Sequence, residues 1–223
     1  MAQLLETIEI ETGSQPDAAV IWLHGLGADG HDFEPIVPEL QVGVPIRFVF
    51  PHAPVRAVTI NGGMQMRAWY DILGFDRRAK EDAAGIRASA AAVTELVERE
   101  IDRGLSSDRV VLAGFSQGGA IALHTALRSP TPLAGVLALS TYLPLAATLA
   151  SERSAANTAI PLFMAHGTDD AVLPFGLAET SRRALEALGY VVDWHPYRMA
   201  HSVCMEEVRA IGAWLSALPA ARG

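Results

Sequence analysis

The stretch that most constrains this chain is Gly114-Phe115-Ser116-Gln117-Gly118. It follows the run Arg109-Val110-Val111-Leu112-Ala113 and leads into Gly119-Ala120-Ile121-Ala122-Leu123. A β-branched run, Gly-x-Ser-x-Gly and a small-residue stretch predict a strand, a sharp turn and a helix, the arrangement of a nucleophile elbow. A turn tight enough to push a serine Oγ into the open leaves no room for a Cβ on either flank, hence the glycines. Ser116 then sits at a helix N-terminus, where free N–H groups and the positive dipole end favour an oxyanion. The pentapeptide alone is weak in a chain with 19 glycines; its flanks and partners carry the argument.

At 223 residues the chain fits one α/β domain over 1–223, with no room for a second core. A formal charge of −8 and a pI near 5.3 argue against nucleic acid and anionic membrane surfaces, which need clustered Lys and Arg. The single cysteine, Cys204, excludes a disulfide framework and a multi-cysteine zinc site. The opening Met1-Ala2-Gln3-Leu4-Leu5-Glu6 lacks the basic residues of a signal peptide. Both features predict a cytoplasmic protein. Residues 129–151 carry no charge and could span a bilayer by length alone. Pro130, Pro132, Pro144 and Ser140-Thr141-Tyr142 interrupt the run, and a strand buried on both faces has the same signature, so no membrane insertion is expected.

Taken in order, Leu4 to Glu11 alternates as a half-exposed edge strand does, and Ala18 to Leu23 is a continuous buried strand. His24-Gly25-Leu26-Gly27-Ala28-Asp29-Gly30 then satisfies the G-x-G-x-x-G spacing of dinucleotide-binding proteins. That reading needs a carboxylate at the end of the next strand. The strand Ile46 to Phe50 ends instead in Pro51-His52-Ala53-Pro54, and Pro35 and Pro38 sit where a phosphate-binding helix should start. The loop is better read as glycines that let a backbone N–H point at a substrate. Val55 to Ile60 and Met64 to Tyr70 form a hairpin about Asn61-Gly62. Trp69 and Tyr70, with Met64, Met66, Leu73 and Phe75, wall an apolar pocket or belong to the core.

Lys80 to Arg103 has helical periodicity with a charged outer face. Further strands follow at Leu133 to Leu139, Ile160 to Ala165 and Tyr190 to Tyr197. A connection is expected at Ser151 to Ala159, and helices at Phe175 to Leu188 and Val203 to Leu218. Strands alternating with helices predict a mostly parallel sheet covered on both faces.

A serine needs an imidazole to take its proton, and the imidazole needs a carboxylate to hold its tautomer. In such a sheet these follow the serine in the order acid, then histidine, on loops at the C-terminal ends of strands. Beyond the serine's own helix, His166 abuts the best acids and shapes their turn, and His195 lies within a strand. His201 alone sits on a loop between the last strand and the last helix, which makes it the base. Asp169 and Asp170 compete as acid, with Asp193 more distant, and spacing does not choose between the first two. The oxyanion donors are the N–H of Gln117 and one from the loop His24 to Gly30. Cys204 is a lone thiol three residues past His201, and no ligand spacing for a metal is present.

Five motifs in this order resemble the acyl-protein thioesterase and bacterial carboxylesterase group of α/β-hydrolases. They are Leu23-His24-Gly25-Leu26-Gly27, Trp69-Tyr70-Asp71, Gly114-Phe115-Ser116-Gln117-Gly118-Gly119, His166-Gly167-x-x-Asp170 and His201-Ser202. The likeness runs from about Val20 to Leu215, and Ile21-Trp22-Leu23 with Thr59-Ile60-Asn61-Gly62-Gly63 leans toward the bacterial members. It implies an α/β-hydrolase fold without a large lid. It also implies Ser116 as nucleophile, Asp170 rather than Asp169 as acid, His201 as base, and Leu26 and Gln117 as oxyanion donors. Met64, Trp69 and Leu73 would line an acyl groove. Ala200 departs from the glycine usual before the histidine.

The implied activity is cleavage of short- to medium-chain carboxylic esters, and of acyl thioesters, through an acyl-enzyme and without cofactor or metal. Lysophospholipase or protein-depalmitoylating activity are variants of it, with a small-molecule or acylated-protein substrate. A dinucleotide-dependent oxidoreductase and an idle binding protein on the same fold are the rivals from other classes. The family implies a monomer or weak homodimer, and no stretch of the sequence identifies an interface.

Overall fold

A computed structural model describes residues 4–74 and 81–218. Phe75, assigned to the pocket wall, and Lys80, assigned to a helix start, lie outside the described residues, as does Met1-Ala2-Gln3.

The strands are β1 (Thr7–Glu11), β2 (Ala18–Leu23), β3 (Ile46–Pro51), β4 (Val55–Val58), β5 (Met64–Arg67), β6 (Val110–Phe115), β7 (Gly135–Leu139), β8 (Leu162–Gly167) and β9 (Val192–Tyr197). The helices are α1 (Val37–Leu40), α2 (Ala83–Asp102), α3 (Gln117–Arg128), α4 (Ala146–Glu152), α5 (Phe175–Ala187) and α6 (Met205–Ser216). Seven strands form one sheet in the order β1-β3-β2-β6-β7-β8-β9. β1 runs antiparallel on the β3 edge and the other pairings are parallel. β4 and β5 make a separate antiparallel pair, joined by a 3₁₀ turn at Thr59–Asn61 with Gly62 and Gly63 at φ 66 and 79°.

The central strands read as unbroken apolar runs because both their faces are covered. In β2, Ile21 and Leu23 face a cluster that includes Ile86, Val93 and Leu96 of α2 and Ile121 of α3. Val20 and Trp22 point the other way, toward Leu40 of α1 and Val208, Ile211 and Leu215 of α6. Edge strand β1 keeps its alternation, with Ile8 and Ile10 packing inward while Glu9 and Glu11 are exposed. No large lid is present among the described residues.

Two short helices depart from the sequence expectation. α4 and a 3₁₀ turn at Ala155–Asn157 occupy most of the stretch from Ala146 to Ala159, read as a connection from Ser151 onward. Ala146, Ala147 and Ala150 are good helix formers hidden in an uncharged run. Pro35 lies in a 3₁₀ turn at Glu34–Ile36 and Pro38 is the second residue of α1, both in the first turn of a short helical segment where a missing N–H costs nothing. No helix among the described residues is long and apolar enough to cross a membrane.

Candidate active site

Ser116 lies between the end of β6 and the start of α3, at φ 54° and ψ −118°. This region is sparsely populated for a residue with a Cβ and costs on the order of 1–3 kcal/mol. The surroundings enforce it. The Ser116 N–H donates to the Leu139 carbonyl at 2.8 Å, and the Thr141 hydroxyl donates to the Ser116 carbonyl at 2.6 Å. The flanking glycines are steric necessities: a Cβ at 114 would lie 2.3 Å from the Gly118 carbonyl carbon, and one at 118 would lie 2.2 Å from the Leu23 carbonyl oxygen. β6 and α3 therefore meet at a distance that only glycine permits, and the serine between them is forced outward.

His201 and Asp170 reach the same rim from the loops after β9 and β8. The Ser116 Oγ lies 3.0 Å from His201 Nε2, across a sequence separation of 85. On the far side of the ring, His201 Nδ1 donates to Asp170 Oδ2 at 2.7 Å. A carboxylate only accepts, so Nδ1 carries a proton, and in the neutral ring this leaves Nε2 as the acceptor toward the serine. The other carboxylate oxygen, Oδ1, accepts from the Val172 and Leu173 N–H groups at 2.9 and 2.8 Å. Phe115 packs against the His201 ring with centroids 4.8 Å apart. The His201 loop passes directly over Gly167, where a Cβ would lie 2.3 Å from the Met199 carbonyl oxygen. The glycine of His166-Gly167-x-x-Asp170 is thus a clearance for the neighbouring loop.

The rival residues sit elsewhere. Asp169 and Asp193 are exposed, and His195 pairs with Asp193 at 2.8 Å and stacks on Phe163. Ala200 is exposed and outside the left-handed region, so the departure from glycine carries no backbone penalty. Gly27 and Gly30 of the G-x-G-x-x-G stretch have local structural partners. The Gly27 N–H donates to the Arg67 carbonyl at 2.9 Å, the Gly30 N–H donates to His52 Nδ1 at 3.1 Å, and a Cβ at 30 would lie 2.6 Å from the Phe50 carbonyl oxygen.

The phospholipase/carboxylesterase family pattern matches residues 5–218. The chain belongs to that family. Within the phospholipase/carboxylesterase family it is 41% identical over 210 residues to an acyl-protein thioesterase 1 of Neurospora crassa, covering 89% of this chain and 86% of that protein. It is 38% identical over 231 residues to an acyl-protein thioesterase 1 of Mycosarcoma maydis, covering 95% and 96%. The crystal structure of Zea mays acyl-protein thioesterase 2 superposes with a TM-score of 0.86 at 30% identity, covering 95% of this chain and 98% of that one. Family membership makes the chain a hydrolase with the α/β-hydrolase fold.

As in other clefts at the C-terminal edge of a parallel sheet, the phospholipase/carboxylesterase site opens where the strands end. A cleft of about 590 Å³ is lined by Ser116, His201, Leu26 and Gln117 together with apolar side chains such as Ile72, Leu143 and Leu173. Of the three residues expected along an acyl groove, Leu73 lines it. Met64 and Trp69 do not. Met64 is exposed on the β4–β5 hairpin, and Trp69 is fully buried behind the wall, donating its indole N–H to the His24 carbonyl at 2.9 Å.

That wall is held by Gln117, whose side chain the sequence reading left unassigned. Its Oε1 accepts from the Trp69 N–H at 2.7 Å and its Nε2 donates to the Tyr70 carbonyl at 2.7 Å. His24 is fixed in turn by its own geometry. Nε2 accepts from the Ala53 N–H at 3.0 Å, so the proton is on Nδ1, which donates to the Gly25 carbonyl at 2.7 Å. Burial depresses the His24 pKa to about 4, which keeps the ring neutral. Among the described residues the backbone N–H groups of Leu26 and Gln117 have no partner, and no group of three or more His, Cys, Asp or Glu could hold a metal ion. Two details invisible in the sequence are the Thr141 brace, two residues beyond β7, and the approach of His166 Nε2 to within 3.3 Å of Asp170 Oδ2.

Proposed function

We propose that Ser116, His201 and Asp170 form the catalytic triad of a single-domain serine esterase acting on short- to medium-chain acyl esters and acyl thioesters. The carrying observation is the unbroken relay from the serine hydroxyl to the buried carboxylate, 3.0 Å and then 2.7 Å. His201 Nε2 takes the Ser116 proton as Oγ attacks the acyl carbon, and Asp170 holds the resulting imidazolium through Nδ1–H. The unpaired N–H groups of Leu26 and Gln117 serve the tetrahedral oxyanion, each donor being worth about 10²- to 10³-fold in turnover. Collapse expels the alcohol or thiol, which leaves with the proton from His201. Water then enters and attacks the acyl carbon as His201 takes its proton, and His201 returns that proton to Ser116 Oγ as the acid is released. The chemistry is complete without a cofactor.

The thioester branch, including acylated proteins as substrates, is favoured by the names of the relatives at 38–41% identity. A location in the cytoplasm fits the lone Cys204. Ser116→Ala tests the reading. It should lower kcat on p-nitrophenyl and thiocholine acyl esters by about 10⁶-fold and abolish fluorophosphonate labelling, with unchanged circular dichroism. Labelling that persists in this variant would place the nucleophile elsewhere.

A further inference from the structure

Two phenols face each other in the cleft wall. Tyr70 follows Trp69 on the segment held by Gln117, and Tyr142 follows Thr141, the residue bonded to the serine carbonyl. Their hydroxyl oxygens are 2.8 Å apart, and both residues line the cleft. Tyr70 is buried, at 3% exposure. Each hydroxyl brings one proton and can accept through its lone pairs, so a single bond between them uses only one of the two protons. Among the described residues neither hydroxyl has any other partner. The carboxylate of Glu81 lines the same cleft and accepts from the Leu145 N–H at 3.0 and 3.1 Å, with no hydrogen bond to either phenol. Burial raises Tyr142 to about 12 and Tyr70 well above the usual phenol value, so both remain protonated through the neutral range.

The cleft thus presents one unspent O–H donor among the apolar side chains of Ile72, Leu143, Leu173 and Leu177, with the carboxylates of Asp32, Asp71, Glu81 and Asp82 elsewhere on its lining. A wholly hydrocarbon acyl chain seated there strips water from that donor and returns no acceptor, and an unmade buried hydrogen bond is the costlier side of the exchange. The geometry points to a substrate whose acyl chain carries an oxygen acceptor, such as an alkoxy-, hydroxy- or oxo-acyl group, with the Tyr70–Tyr142 pair as its specificity-determining donor. The inference rests on the esterase reading above and narrows it.

The test is a set of p-nitrophenyl esters of one acyl length, in which an ether oxygen replaces each successive chain methylene in turn. Each kcat/KM is divided by the rate of hydroxide hydrolysis of the same ester, which removes the inductive effect of the oxygen. One position should exceed the all-carbon parent by roughly 3- to 10-fold. In Tyr70→Phe/Tyr142→Phe that ratio should return to about 1, because neither hydroxyl remains. A wild-type profile with no favoured position overturns the inference even if the double variant does not fold. A folded double variant that keeps the preference overturns it as well. Failure of every ester, the all-carbon parent included, would instead sink the esterase reading and is thereby told apart.

Discussion

Gln117 holds two tasks on one residue. Its backbone N–H is the proposed oxyanion donor, while its side-chain amide closes two bonds of 2.7 Å to the backbone of Trp69 and Tyr70. Gln117→Leu keeps the first task and deletes the second, leaving a buried N–H and a buried carbonyl unpaired. Each orphan costs about 1–3 kcal/mol, so the variant should lose about 2–6 kcal/mol in urea unfolding and raise KM more than it lowers kcat. His166 is a positioning residue of a similar kind. Its Nε2–H donates to the Leu173 carbonyl at 2.8 Å and lies 3.3 Å from Asp170 Oδ2, so it ties down the turn that carries the acid. His166→Phe should lower kcat by about tenfold or more with KM little changed, and His166→Gln, whose amide nitrogen can take the place of Nε2, should recover most of the loss. Equal losses in the two variants would mean that only ring volume matters there.

At the scale of elements, α6 carries a buried acid in its first turn. Glu207 is fully buried, and burial lifts its pKa to about 8 against a weaker opposing pull from the Cys204 N–H. The folded chain therefore keeps the proton up to about pH 8, while the unfolded chain releases it near the ordinary value of 4.5. Between those values the folded state binds the extra proton, so stability falls as pH rises and levels off above about 8. Glu207→Gln should be as stable as the parent at pH 4.5 and more stable at pH 8, by on the order of 3 kcal/mol, or several degrees in Tm. An unchanged difference across that range would refute the buried, protonated carboxyl.

The same scale shows what could be read from the chain alone. The buried strands were legible because a strand covered on both faces must be continuously apolar, and α2, α5 and α6 because one face of each is wet. α4 was not, since Ala146 to Ser151 has no charge to mark an outer face. The meeting of Ser116, Asp170 and His201 was legible from loop positions, with Asp170 chosen over Asp169 by its motif. Met64 and Trp69 were misplaced because an aromatic beside a methionine looks the same whether it lines a groove or backs it. The Tyr70–Tyr142 pair was out of reach, because its members are 72 residues apart and nothing local marks their meeting.

Taken whole, the molecule buries imidazoles that acid must eventually charge. Desolvation depresses His24 and His124 to about 4 from an ordinary 6.5. From pH 6.5 down to 4 the unfolded chain binds these protons and the folded chain does not, so each histidine withdraws up to about 3 kcal/mol of stability over that interval. His124→Leu should flatten the dependence of unfolding free energy on pH by close to one proton between pH 4.5 and 6, as measured by urea titrations. A slope identical to the parent's would show that His124 charges freely.

The backbone at Ser116 is held in its unfavourable conformation by Leu139 from β7, by Thr141 beyond it, and by glycine contacts between β6, β2 and α3. The restraints from Leu139, Thr141 and β2 are distant in sequence, and His201 arrives from a loop beyond the last strand. Secondary structure can therefore recover before the nucleophile is in place. In refolding from urea, hydrolysis should return later than far-ultraviolet ellipticity, which would make the enzyme's own turnover a reporter of the final step of its assembly.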